Sequence, residues 1–214
     1  MATKKKARAR SKQRVQPKQS LGARELLVRE LQEIHHAESQ LARGVPRFVK
    51  AAEAEMLKAY LHRRLETGSQ LSEDLDSAFE ALDRDPGRKK NGAVEGLLND
   101  LRTHIQEMVA GPAGDAVLIA GAQKIEHYCV AAWGTARALA QALGIQSVTE
   151  SMSRALDEGK DLDRQLTELA EGEILPRLLA DEDADEALEE EADEEDRALG
   201  RTRRSSGSER RAPH

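Results

Sequence analysis

Four charged side chains stand where apolar ones belong. Written as alternating three- and four-residue steps, the spacing that keeps one helix face toward its partners, the buried seam of one segment reads Leu27, Leu31, Ile34, Glu38, Leu41, Val45, Phe48. A second gives Ile119, Ala122, Glu126, Cys129, Trp133, Ala136, Ala140, Leu143. A third runs Leu57, Leu61, Arg64, Gly68, Leu71, Leu75, and a fourth sets Glu158 between Ala155 and Leu162. On this register three acids and one arginine face a common interior. Burying an unpaired carboxylate is costly, so these groups must be paired, protonated or bound to a metal. Inward Glu residues from several helices of a bundle are how di-iron and di-manganese carboxylate centres are made, completed by Glu-x-x-His pairs. The competing reading is a Glu at the edge of each buried stripe that reaches out to water. Recurrence on three segments favours a shared site over that alternative.

Weaker constellations stand beside this one. Glu33 and His36 have the Glu-x-x-His spacing, but Glu33 lies off the seam. Cys129, the one cysteine, has the makings of a soft ligand, although a lone seam Cys usually packs. The run Gly92-Ala93-Val94-Glu95-Gly96 lacks the Lys-Ser/Thr and preceding strand of a phosphate loop, and no Ser-His-Asp context is recognisable. Trp133 and Tyr128 read as packing residues between helices.

The elements that must position these groups are all helices. Apolar periodicity with Pro and Gly punctuation predicts helices over 22–52, kinked near Pro46, 54–82, 93–109, 113–143 and 147–170. Ser147 with Glu150 three residues on has the capping-box spacing. Four long helices and one short one make an antiparallel four-helix bundle with an extra short helix. Aromatics are 2% of the chain, against a sandwich or barrel, while 34% of residues are charged. One cysteine excludes a disulfide framework and fits a reducing, cytoplasmic setting. No leader pattern and no run of about twenty apolar residues suggests export or a membrane span.

Charge divides the 214 residues into three regions: 1–20, 21–180 and 181–214. The first holds Lys4, Lys5, Lys6, Arg8, Arg10, Lys12, Arg14 and Lys18 and no acid, a net of +8. Residues 181–196 hold twelve Asp or Glu and no base, and the end is Arg-rich again. Like-charged blocks bury too little apolar surface to offset chain entropy, so both tails are expected to be disordered. The basic arm invites a phosphate backbone, with affinity that falls as salt rises. A solubilising tail is the plainer reading.

The stretch Glu30-Leu31-Gln32-Glu33-Ile34-His35-His36-Ala37-Glu38, the stretch from Asp115 through Gln123-Lys124-Ile125-Glu126-His127-Tyr128, Gly134-Thr135-Ala136-Arg137-Ala138-Leu139-Ala140, and Leu156-Asp157-Glu158 together resemble the YciE/YciF type of ferritin-like proteins, a bacterial domain family of unknown function. The resemblance covers roughly residues 21–170. It implies a ferritin-like fold, a tendency to form a homodimer, an association with general stress, and an architecture suited to a di-metal carboxylate centre.

Carried over by position, the family's inward Glu on the first helix is Glu38, and the first acid of its Glu-His-Tyr-Glu stretch is Glu126. The second acid of that stretch is Cys129 here. Arg64 stands where relatives have a histidine, and the paired acids of the fifth helix become Glu158-Gly159. Each change removes a ligand. His62 projects away from Arg64, whereas His35 shares a face with Glu38 at i,i+3. The candidate metal set is thus Glu38, Glu126, Glu158 and His35. A guanidinium is permanently cationic and offers five donors that suit carboxylates, so Arg64 is expected to replace the metal with an internal ion-pair cluster and no redox chemistry. The alternatives are a di-iron or di-manganese oxidoreductase, and a DNA-associating stress protein that uses Lys4, Lys5, Lys6, Arg8 and Arg10.

Overall fold

The structure, a computed structural model, describes residues 21–107 and 111–208. Helix α1 spans Ala23–Ala51, α2 Glu55–Leu82, α3 Gly92–Glu107, α4 Pro112–Ala142 and α5 Gln146–Leu169. A π-helical turn, Ala170–Ile174, leads into α6, Leu175–Ser208. Among the described residues there is no strand.

The bundle is α1, α2, α5 and α4 in a closed ring, and side-chain pairings fix the direction of each member. Arg154 of α5 reaches Asp74 of α2, while Arg63 of α2 reaches Asp161 of α5, so these two run antiparallel. At the start of α4, Asp115 accepts the backbone N–H groups of Glu53 and Ala54, both at 2.8 Å, which ties that end to the close of α1. Every neighbouring pair is therefore antiparallel, and α2 and α4 run the same way. Joining two parallel helices needs a crossover the length of the bundle, and the segment containing α3 supplies it.

Short-range chemistry ends each helix where a turn is required. Asp83 closes α2 in a left-handed conformation at φ 53°, and Gly144 does the same after α4 at φ 69°. Asn91 caps α3: its Oδ1 accepts the Val94 N–H at 3.1 Å, while its amide donates to the Glu33 carbonyl and the Tyr128 hydroxyl. A Cβ on Gly121 would run into Leu101, so that glycine lets α3 lie close on α4.

The seams of α1, α2 and α4 are buried in the predicted register, with Leu27, Leu31, Ile34, Leu57, Leu75, Ile119 and Trp133 at the centre. Pro46 lies inside α1, which stays helical to Ala51. Two local expectations are corrected. Helix α5 starts at Gln146 with Ile145 at its cap, so Ser147 makes no capping box, and Glu150 instead accepts from the Gln146 side chain. Residues 181–208, expected to be disordered, lie in helix α6: the run is rich in Ala, Leu, Glu and Arg, whose helix propensity outweighs like-charge repulsion along one helix. The basic residues of 1–20 lie outside the described residues.

Candidate functional site

Position 64 of α2 lies level with position 38 of α1 and position 126 of α4, so three seam residues meet at one height in the bundle. Arg64 donates from Nη1 to Glu38 Oε2 and from Nη2 to Glu38 Oε1, each at 3.0 Å, a two-pronged pair. Its Nε donates to Glu126 Oε1 at 2.5 Å. The three residues are 3%, 2% and 2% exposed, so the exchange takes place out of water. Cys129 Sγ lies 3.9 Å from Nη2, and the Trp133 ring stands 5.8 Å from the guanidinium carbon, a cation–π distance. Gly68, one turn on from Arg64, leaves the space the pair needs: a Cβ there would come within 2.8 Å of both Arg64 Nη1 and Glu38 Oε2.

One cation serves two carboxylates. Burial works against the Arg64 charge, but the opposing charges of Glu126 and Glu38 prevail and hold its pKa well above the usual arginine value. For Glu126 burial wins: it pushes the carboxyl above the ordinary carboxylate range, although Arg64 pulls the other way, and the Glu38 charge adds to the rise. Cys129 is raised well above the usual thiol value by burial first and by Glu38 second, which disfavours the thiolate and makes it a poor nucleophile. The arrangement is a buried ion-pair network.

Of the predicted site residues the structure brings together Glu38, Glu126 and Arg64. Glu158 is exposed, and Gly159 takes the seam position of α5 instead. The step from Ala155 is four residues rather than three because Trp133 fills that level of the bundle: a Cβ on residue 159 would run into its ring. His35 does not join either. It meets the Phe79 ring edge-on and pairs with Asp76 at 3.6 Å on the α1–α2 flank. Glu33 pairs with Arg29 and Lys89, and His36 accepts the Asn91 backbone N–H on Nδ1, so Glu33 and His36 do not converge. Trp133 is buried in the bundle, and Tyr128 is half-buried against Asn91.

Two residues with a structural part had no distinct signal in the sequence. Asp115 is a buried acid satisfied by two backbone N–H groups, and only tertiary contact tells it from a first-turn acid that complements the helix dipole. Tyr60, buried one turn before Arg64, lies three residues on from the seam member Leu57, where a four-residue step to Leu61 fits the pattern equally well.

A di-metal carboxylate centre does not fit these donors. The guanidinium takes the point on which Glu38 and Glu126 converge, and among the described residues no histidine faces the cluster. Among the described residues no three His, Cys, Asp or Glu side chains gather as a metal site. No described helix is long and apolar enough to cross a membrane.

Comparison with known proteins gives one family and several close folds. The model of the family described as "Domain of unknown function (DUF892)" matches residues 22–180. Protein YciF of Escherichia coli strain K12 is 34% identical over 141 residues, 65% of this chain and 85% of that protein. The crystal structure of the Escherichia coli stress protein YciF superposes with a TM-score of 0.67 at 32% identity, over 70% of this chain and 94% of that one. YcfI of Rhodopseudomonas palustris gives a TM-score of 0.66 at 28% identity, over 69% and 94%.

Proposed function

This chain belongs to the DUF892 family, and from that premise we propose that it is a stress-associated, ferritin-like bundle whose family-type metal site has become an Arg–Glu ion-pair cluster. The stress association follows the similar Escherichia coli protein YciF, a stress protein. The observation that carries the reading is Arg64, which satisfies both oxygens of Glu38 and one of Glu126 where a metal would need those same lone pairs. Such a protein holds no redox cofactor and works as a scaffold or binding protein. The one thiol is buried and neutral, in keeping with a reducing cytoplasm.

Elemental analysis of protein grown with added iron or manganese and purified without chelators tests it. The expected result is no stoichiometric metal. Bound metal near one or two equivalents, with a visible di-iron band, would favour the oxidoreductase alternative. An Arg64→His variant, measured beside it, is expected to regain some affinity for divalent metal.

A homodimer and an arm that binds nucleic acid are further parts of this proposal. The arm rests on eight cations and no acid in residues 1–20. Retention of short duplex DNA that weakens with salt and disappears on deleting those residues is the expected result. Light scattering of the purified chain reads the dimer.

A further inference from the structure

Three arginines from two helices crowd one stretch of the outer flank of α1. His36 accepts the Asn91 backbone N–H beside the start of α3, and further along α1 Gly44 meets Leu98 and Arg102, so α3 lies against α1 and runs parallel to it. A Cβ on Gly44 would stand 3.4 Å from Arg102 Nη2. The Arg102 guanidinium therefore lies over that glycine, with Arg43 the residue before it and Arg47 one turn beyond. Lys50 follows at the next turn, and steps of four and three keep 43, 47 and 50 on one face of the helix. Arg43, Arg47 and Lys50 are exposed, and Arg102 is half-buried.

Like charges held this close repel, and no acid on the flank neutralises them. Arg43 turns back onto the carbonyl and hydroxyl oxygens of Ser39, both uncharged groups, at 2.9 and 2.7 Å. Arg47, Lys50 and Arg102 have no ion pair among the described residues. Glu95, the α3 acid on that side, lies two turns before Arg102 and faces His36 at 3.7 Å. On the α2–α5 flank, by contrast, Arg63, Arg154 and Arg164 each carry an acid.

We propose that the α1–α3 flank binds the phosphate backbone of duplex DNA, with Arg43, Arg47, Lys50 and Arg102 as the phosphate contacts. This rests on the nucleic-acid part of the proposed function and gives it a second surface, on the folded bundle. The cations form a row on the outside of a helix and not a pocket. Positions 43 to 50 span about 10 Å at about 1.5 Å per residue, which suits successive phosphates of a polymer better than one small anion. Guanidinium forks donate to phosphate oxygens two at a time. Position matters as well. Gly44 lies about 35 Å along α1 from residue 21, where the basic arm joins the helix. A duplex repeats about every 34–36 Å, so arm and flank meet the same face of one duplex a turn apart. Such contacts hold the backbone and leave the bases unread, so binding is indifferent to sequence.

Fluorescence anisotropy with a duplex of about three turns, titrated at several salt concentrations, tests this on the full chain. Each phosphate contact adds about 0.9 to the slope of log K against log salt. Arg47→Glu with Lys50→Glu, both on the surface, is expected to lower that slope by about 2 and to weaken binding at least about tenfold on every sequence. Arg102→Gln should lower it by about 1. If the Arg102 variant does not fold, the surface pair still decides. A chain lacking residues 1–20 is expected to keep a weaker, salt-dependent affinity that the surface pair then abolishes. Unchanged affinity and slope in the surface pair, or no binding once the arm is gone, would overturn the flank and leave the arm standing. An arm that proves dispensable while the flank is required would refute the arm alone, and a native chain that binds no duplex refutes both. Displacement of the duplex by inorganic phosphate at fixed ionic strength would mark a small-anion site and overturn the assignment to DNA.

Discussion

Replacing Arg64 with methionine keeps an unbranched apolar stem and deletes the guanidinium. Three bonds disappear: Glu38 loses both donors and Glu126 Oε1 loses its one, while Glu126 Oε2 has none to begin with. Removing one partner of a buried ion pair costs about 3–5 kcal/mol, because the charges left behind stay desolvated. Total stability for a domain is about 5–15 kcal/mol, so the loss is a large part of it. With an m-value of about 2 kcal/mol/M in urea, a loss of about 4 kcal/mol lowers the unfolding midpoint by about 2 M. Circular dichroism reads the helices, and Trp133, the single tryptophan, reports the cluster by fluorescence from 5.8 Å away. A triple variant, Glu38→Met with Arg64→Met and Glu126→Met, removes every charge and is expected to recover most of the loss. The single-variant deficit should also shrink in acid, where the orphaned carboxylates take up protons. A loss below about 1 kcal/mol for Arg64→Met at neutral pH would show that the guanidinium does not hold the two acids, and the argument from burial would fail.

Three further outcomes are expected. Burial holds the Glu126 carboxyl above its unfolded value against the pull of Arg64, so its contribution to stability is full below the unfolded pKa and lost as pH rises through the folded one. Glu126→Gln keeps an acceptor for Arg64 Nε without that slope; urea titrations should show the variant gaining on the native chain from acid toward neutral pH, and a constant difference would count against the assignment. Asp115→Ala strips two buried backbone N–H groups of their acceptor at the α1–α2 turn and should cost about 2–4 kcal/mol by chemical denaturation, at about 1–3 kcal/mol for each orphaned group less relaxation, with Asp115→Asn between the two. Gly159→Ala would ordinarily steady a helix interior by up to about 1 kcal/mol. Here it drives a methyl into the Trp133 ring, so a net loss of about 1–3 kcal/mol and a shifted tryptophan emission are expected.

The all-helical class, the four long helices and the inward acids of α1 and α4 were legible in the sequence because a seam at three- and four-residue steps is a local property of the chain. Glu38, Arg64 and Glu126 each interrupt such a seam in the middle of a long helix, where the register is well determined by several apolar turns on either side. Position 158 failed for the same physical reason that the others succeeded. A step of three or four from Ala155 fits the local pattern equally well, and the bulk of Trp133, on the neighbouring helix α4, chose Gly159. Likewise Ser147 has the letters of a cap, yet the helix begins one residue before it.

What the amino-acid order determined by itself is therefore which side chains lie on the inner stripe of each helix, since periodicity and helix geometry require nothing from elsewhere. Which of those side chains stand at one height, and so whether two acids share a single guanidinium, depended on how far each helix slides along its neighbours. That offset is set by the turn tied down at Asp115 and by the close approaches at Gly68, Gly121 and Gly159, contacts between residues distant in the chain that no local pattern encodes.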